Sequence, residues 1–330
     1  MAVARPTTLV LRALGLGDLL VAVPALRGLR SAHPGDRLVL AAPAPLAPLT
    51  ALIGAVDAVL PATGLDSPLP ARLSPPPSLA VNLHGAGPQS TRALLALKPD
   101  RVWAYAHPEL PEVDGPRWRD REHERLRWCR LLAAYGVGAD PDDLDLAVPD
   151  EPPPVAGAVV VHPGAAYGSR RWPAGRFAAV AAALRRAGHR VVVTGSAAER
   201  ELATGVAVRA GLPPAAVLAG RTGLLELAAL IAAARLVLCG DTGVAHLATA
   251  YRTPSVLLFG PTPPAEWGPP DREGQVVLWK GSGPGETFAD SPDPALLELG
   301  VPEVLAAASR ALELTDDDRQ GRLSVTVASQ

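Results

Sequence analysis

Residues 149–154 hold four prolines and two acids in six positions. Proline fixes φ and has no backbone N–H, so neither a helix interior nor a central strand can run through such a stretch. It reads as a linker, and it cuts the chain near its middle. The same alternation appears on both sides of it. Short runs rich in Val, Leu and Ala lead into glycine-bearing loops, and segments with apolar residues at helical spacing follow. Strands alternating with helices imply a parallel, doubly wound sheet. The sequence therefore predicts two α/β domains, 1–150 and 151–314. A polar, aperiodic tail, 315–330, is expected to be disordered.

In the first half, strands are expected at 8–11, 37–41, 55–60, 79–83 and 101–105. Helices are expected at 19–30, 46–53 and 91–97, with a long charged helix at 119–135. Residues 64–77 are proline-rich and read as loop. In the second half, strands are expected at 158–162, 190–194, 235–239 and 255–258. Helices are expected at 173–187, 197–210, 224–234 and 302–314. Phe177, Val180, Ala181 and Leu184 share one helical face, with Gly188 just past the end.

Composition narrows the function classes. The 330 residues carry a net charge of -2 and a pI near 6.4, so no global field draws nucleic acid. The two cysteines, Cys129 and Cys239, form neither a metal spacing nor a disulfide framework, which suits a reducing compartment. No apolar run reaches the ~18 residues of a membrane span. A cytoplasmic enzyme is expected, free to touch the inner face of a membrane. No zinc spacing, Gly-x-Ser-x-Gly or Gly-x-x-x-x-Gly-Lys-Ser/Thr occurs, so a hydrolase triad or a P-loop has no support and no metal is expected.

The strand ends carry the chemistry. Gly240-Asp241-Thr242-Gly243-Val244-Ala245-His246 closes a buried strand and opens a helix. The first N–H groups of a helix have no intrahelical partner and attract an anion, typically a phosphate. Asp241, Thr242 and His246 add polar side chains there, and Gly243 lets a ligand approach the backbone. Phe259-Gly260-Pro261-Thr262 closes the next strand, on the same sheet edge, where ligands bind. Residues 164–172 combine glycines, a hydroxyl and two adjacent arginines, Arg170 and Arg171. Arginine is a good bidentate phosphate ligand. Thr194-Gly195-Ser196 with Glu199 is a third strand-end loop, whose acid could accept from a ribose or merely start a helix.

Gly15-Leu16-Gly17-Asp18 follows the first strand but lacks the third glycine of a dinucleotide fingerprint, since Leu20 stands there. Asp18 is then either an acid favoured at a helix start or a general base. His84, in Asn82-Leu83-His84-Gly85, and Arg92 are candidate acceptor contacts, each with a structural alternative. Residues 117–130 carry six arginines, three acids and two indoles. They read as a solvated helix laced with ion pairs, or as a face for anionic lipid.

Together these loops resemble glycosyltransferase family 9, the ADP-heptose:lipopolysaccharide heptosyltransferase family, from about Leu9 to about Leu314. The segments that carry the resemblance are Leu14 to Asp18 with Pro24-Ala25-Leu26, Leu83-His84-Gly85, and His162-Pro163-Gly164 leading to Arg170-Arg171-Trp172-Pro173 and Arg176-Phe177. The last is Asp241-Thr242-Gly243-x-x-His246 with Phe259-Gly260-Pro261-Thr262 and Trp267-Gly268-Pro269. The resemblance implies a GT-B fold, two Rossmann-like domains facing across a cleft, with acceptor on the N-terminal domain and nucleotide-sugar on the C-terminal one. It implies inverting, metal-independent transfer of a heptose or related sugar from a nucleotide diphosphate donor, ADP-linked, to a glycan or glycolipid such as lipopolysaccharide core. Asp18 matches the family's proposed base, and Arg170, Thr242, Gly243 and His246 match its diphosphate site. Asp241 and Glu199 match acids that hold the donor sugar and nucleoside.

Arg170 stands where relatives usually have Lys, a swap that keeps the charge at the diphosphate but changes the geometry. Asn82 stands where they often have Asp, residues 280–294 lack the cysteine segment many carry, and the Ala-, Arg- and Pro-rich composition suggests a source that need not make lipopolysaccharide; these departures leave the acceptor open. An epimerase or hydrolase on the same fold, and a non-catalytic nucleotide-sugar binder, are the competing readings.

Overall fold

The computed structural model describes residues 5–65, 69 and 75–327. The chain divides into two compact units, Met1–Ala147 and Val148–Gln330. The division falls three residues before the 150/151 boundary expected from the proline run.

The N-terminal unit runs β1 (Thr7–Leu11), α1 (Leu16–Val21), α2 (Val23–Ala32), β2 (Arg37–Ala42), α3 (Ala47–Ile53), β3 (Ala58–Pro61), β4 (Leu79–Asn82), α4 (Gln89–Leu95), β5 (Val102–Trp103) and α5 (Glu124–Ala134). Its five strands form one parallel sheet in the order β3-β2-β1-β4-β5. Leu9, Leu11, Val39 and Ala80 pack one core face of it.

The C-terminal unit repeats the plan with β6 (Val159–His162), α6 (Ala174–Arg186), β7 (Val191–Val193), α7 (Arg200–Arg209), α8 (Leu224–Ala232), β8 (Leu236–Gly240), α9 (Gly243–Ala250), β9 (Ser255–Leu258), α10 (Pro264–Trp267), β10 (Gln275–Leu278), α11 (Pro294–Glu298) and α12 (Val301–Val327). The sheet order is β10-β9-β8-β6-β7, again all parallel. β6 and β8 are buried along their whole length, as near-continuous apolar runs in a parallel sheet should be. Both units are Rossmann-like, each a parallel five-stranded sheet with helices between its strands.

Several expectations from the sequence are corrected. The helix expected at 19–30 is two helices that part at Ala22, because Pro24 belongs to the first turn of a new one. Residues 16–18, read as loop, are already the first turn of α1. The helix expected at 119–135 begins only at Glu124. The backbone before it leaves the helical region, at φ 54 for Arg121 and ψ 131 for His123, and its carbonyls are taken up by side chains: Arg127 donates to Arg119 O and Glu122 O, and Arg130 to Arg117 O. The last helix does not stop at residue 314 but continues to Val327, through most of the tail expected to be disordered. Weak periodicity shows that a segment buries no stripe; it does not stop the backbone ladder, and residues 315–327 contain no proline. Residues 328–330 of that tail, and 66–68 and 70–74 of the expected proline-rich loop, lie outside the described residues.

Candidate functional site

Each sheet has a point where the chain leaves its first strand in one direction and returns on the other side. Ligands of open α/β sheets bind beyond the carboxyl ends of the strands at such a point. In the N-terminal unit it lies between β1 and β4, where Leu11 pairs with Asn82. In the C-terminal unit it lies between β6 and β8, where His162 pairs with Cys239. Asp18 and His84 follow the first pair of strands; Arg170 and Asp241 follow the second.

At the C-terminal point, Arg170 Nη1 lies 3.5 Å from Asp241 Oδ2. The pair is incompletely satisfied: among the described residues, neither Arg170 Nε nor Asp241 Oδ2 has a hydrogen-bond partner. A buried polar group without a hydrogen bond costs about 1–3 kcal/mol, so the buried Nε and Oδ2 leave hydrogen-bonding capacity here that the described residues do not fill. α9 starts at the same place. Its N-cap, Thr242, is extended and makes no side-chain cap bond, which leaves the helix start to an anion. The His246 ring lies 6.0 Å from that of Trp267 in α10.

The glycines of these loops serve packing as well as ligand approach. A Cβ on Gly240 would stand 2.7 Å from the Arg170 carbonyl oxygen, and one on Gly260 3.1 Å from that of Ser169. A Cβ on Gly168 would collide with Asp290 O. Ser169 is tied to the segment that follows β10: its N–H donates to Ala289 O at 2.9 Å, its hydroxyl to Thr287 O at 2.6 Å, and its carbonyl accepts from Asp293 at 3.1 Å. The turn that presents Arg170 is thus set by glycines on two strand ends and by backbone bonds to 287–293.

The neighbouring basic and aromatic residues do structural work. Arg171 Nε and Nη2 both donate to Ala165 O, at 2.9 and 2.7 Å, and close the 164–171 loop on itself. Trp172 Nε1 donates to Leu299 O at 3.1 Å, and Arg176 Nη1 to Leu297 O and Leu299 O. Of the two adjacent arginines, only Arg170 stands at the open end.

Glu199 sits beside the loop after β6. Its Oε2 accepts from Ser196 N at 2.8 Å, the bond of a helix-start acid. Its carboxylate lies where a Cβ on Gly164 would fall. Buried His162 has Nδ1 3.0 Å from Thr194 Oγ1. Burial pushes its pKa below the usual histidine value, with Glu199 opposing.

At the N-terminal point, Asp18 caps its own helix, Oδ2 accepting from Gly15 N at 3.1 Å. His84 Nδ1 accepts from Ala13 N at 3.2 Å, which places the ring proton on Nε2. Burial, aided by the Arg12 charge and opposed by Asp18, holds the His84 pKa below its usual value. Asn82 is fully buried; its Nδ2 donates to Ser90 Oγ, Thr91 Oγ1 and Gly85 O, and its Oδ1 accepts from His84 N. Arg92 stands apart, in an exposed ion pair with Glu109 at 2.6 Å.

Sequence reasoning missed Arg12 and Glu124. Arg12 is buried at the exit of β1, and Glu124, at the start of α5, pairs with it at 3.0 Å. The rest of the basic stretch is largely neutralised internally, through Arg125–Asp142, Arg127–Glu124 and Arg130–Glu122. Its two indoles face guanidinium groups, Trp118 that of Arg127 at 3.9 Å and Trp128 that of Arg12 at 4.8 Å. Among the described residues, no group of three or more His, Cys, Asp or Glu is placed to hold a metal, and no helix is long and apolar enough to cross a membrane.

Residues 144–290 match the model of glycosyltransferase family 9 (heptosyltransferase). Among solved structures, the fold is similar to an ADP-heptose lps heptosyltransferase II of E. coli, at 21% identity and a TM-score of 0.77, covering 94% of this chain and 99% of that one. It is as similar to a family 9 glycosyltransferase from Veillonella parvula, at 21% and 0.77, covering 94% and 98%. An iron-containing dodecameric glycosyltransferase, TibC of E. coli, matches at 16% and 0.60, covering 93% and 76%. A search of curated proteins finds no match.

Proposed function

We propose that this chain, a glycosyltransferase of family 9 by the match over residues 144–290, transfers a heptose or related sugar from an ADP-linked donor to a glycan or glycolipid, with inversion and without a metal. The observation that carries the reading is the open Arg170–Asp241 pair at the start of α9. A departing nucleoside diphosphate gains negative charge as the sugar bond breaks. Without a metal, that charge must be met by fixed cations and oriented N–H groups. Arg170 supplies the first, and the α9 start with Thr242 and Gly243 the second. His246 borders the same diphosphate. Asp241 takes sugar hydroxyls, and Glu199 with the His162–Thr194 pair faces the nucleoside.

Asp18 is the general base. It accepts the proton of the acceptor hydroxyl as that oxygen attacks the anomeric carbon, opposite the leaving group, and the sugar inverts. The transfer is late, when the hydroxyl oxygen is already bonding and its proton has become acidic. Neutral His84 offers an Nε2–H donor to the same acceptor. Lipopolysaccharide core is the acceptor class that the similar heptosyltransferase suggests. A lipid-linked acceptor would bring exposed Arg117, Arg119 and Arg121 to an anionic inner leaflet at the cytoplasmic face.

Asp18→Asn should slow ADP release from ADP-heptose by on the order of 10²- to 10⁴-fold, leaving a measurable residual rate, while calorimetry shows ADP binding unchanged. Near-normal turnover would refute the base assignment. A panel of ADP, GDP and UDP tests the donor, and full activity in excess chelator tests metal independence. Rapid donor breakdown without acceptor would favour a hydrolase instead.

A further inference from the structure

The residue that the proposed reaction does not use, and that the fold holds most firmly beside it, is Arg12. Its side chain is inaccessible to solvent. Its Nε donates to the Asp18 carbonyl at 2.9 Å, and its Nη2 lies 3.4 Å from Asp18 Oδ1. Its Nη1 donates to Leu83 O, on the residue before His84. Its Nη2 also donates to Glu124 Oε1 at 3.0 Å. One guanidinium therefore joins α1, the exit of β4 and α5 around the N-terminal switch point.

The guanidinium is itself fixed. Glu124 Oε1 accepts from Trp128 Nε1 at 3.0 Å as well, and Glu124 Oε2 from Arg127 Nε at 3.1 Å. The Trp128 ring lies 4.8 Å from the Arg12 guanidinium carbon. A chain of charges results, Asp18–Arg12–Glu124–Arg127, with three of its four side chains largely removed from water. Buried charges persist only where each is paired and hydrogen-bonded. A planar fork with several fixed acceptors has one orientation, which a flexible ammonium would not reproduce.

We propose that Arg12 is the positioning residue of Asp18: held by Glu124 and Trp128, it fixes the α1 turn and the direction of the Asp18 carboxylate. The proposal rests on the reading of Asp18 as the base. Arg12 itself touches no substrate, since its side chain is sealed and its donors are spent inside the protein.

The test is a double-mutant cycle on the full chain, with ADP-heptose as donor and a lipopolysaccharide-derived oligosaccharide as acceptor. Arg12→Lys keeps the buried charge and loses the fork. Its kcat should fall on the order of 10- to 100-fold, the effect of misplacing a reacting group by up to an ångström. The donor KM and the calorimetric affinity for ADP should stay within about twofold, because the donor belongs to the other unit. In the Asp18→Asn background, Arg12→Lys should cause no further loss, since it acts through a carboxylate no longer present. Glu124→Asp, which draws the anchor back by one methylene, should give the same kcat pattern.

Unchanged kcat in Arg12→Lys, or a loss that multiplies with that of Asp18→Asn, would overturn the proposal while leaving the base reading intact. So would a parallel fall in ADP affinity, which marks general damage. Near-normal turnover by Asp18→Asn alone would instead remove the base reading. If Arg12→Lys does not fold, Glu124→Asp alone decides by the same split between kcat and donor KM.

Discussion

Replacing Glu124 by Gln tests the buried charge chain without reference to any substrate. Glu124 accepts three hydrogen bonds, from Arg12 at 3.0 Å, Trp128 at 3.0 Å and Arg127 at 3.1 Å, and its side chain is 13% exposed. Glutamine has the same shape but one acceptor oxygen. If the carbonyl faces Arg12 and Trp128, the amide nitrogen confronts Arg127 Nε, donor against donor. A lost charge-assisted bond is worth about 1.5–3 kcal/mol, and breaking a buried pair by removing one partner about 3–5 kcal/mol. About 3 kcal/mol is expected. For a unit of this size 1 kcal/mol moves the midpoint by about 2–4 °C, so the N-terminal transition should fall by about 6–12 °C in scanning calorimetry. Glu109→Gln breaks the exposed pair with Arg92 and should leave the midpoint within error, since exposed ion pairs contribute little. A shift under 2 °C for Glu124→Gln would refute the argument that this chain holds Arg12 in place.

Gly240→Ala puts a Cβ 2.7 Å from the Arg170 carbonyl and must displace that turn. ADP affinity should fall about tenfold, about 1.4 kcal/mol by calorimetry, and an unchanged Kd would contradict the packing role. Asn82→Asp removes the donor to Gly85 O and buries a charge, so denaturant titration at pH 7 should show a loss of about 1–3 kcal/mol. His162 has a folded pKa below its unfolded value of about 6.5, first because it is buried. Its stabilisation is full above pH 6.5 and is lost as pH falls through that value, because only the unfolded chain then takes the proton. Unfolding free energy should therefore drop between pH 7.5 and 5.5, and His162→Asn should flatten that slope.

Strand ends were legible because they need particular residue types. A strand end that opens directly into a helix shows small and polar letters in order, as in residues 240–246, and these mark the junction of β8 and α9. Buried parallel strands show as valine runs, as at 159–161 and 191–193. Arg12 was not legible, since its partner Glu124 lies 112 residues away and only the fold brings them together. An arginine directly after the buried Leu9-Val10-Leu11 run, six residues before an acid, was the available signal. Gly240 was visible as a glycine, but its reason was not: the Cβ is excluded by the Arg170 carbonyl, which arrives from another loop. The start of α5 was hidden for a related reason, because the break lies in the backbone at Arg121 and His123, and the arginines that bond the preceding carbonyls come from the helix itself.

The two units use one architecture and one pair of residue types for opposite purposes. Each switch point brings an arginine and an aspartate together, Arg12 with Asp18 and Arg170 with Asp241. In the first, every nitrogen of the guanidinium has a protein acceptor, so the group can move only at the expense of those bonds. In the second, Arg170 Nε and Asp241 Oδ2 have no hydrogen-bond partner among the described residues, so the protein alone does not satisfy the pair. As proposed above, the satisfied pair orients and the unsatisfied one binds; the difference lies in the second acid. Glu124 completes the first site, from the start of α5 and 112 residues along the chain from Arg12, and among the described residues no second carboxylate is paired with Arg170. On the proposed reading, leaving out that acid turns the repeated motif from a rigid support into a place where a diphosphate would supply the missing negative charge.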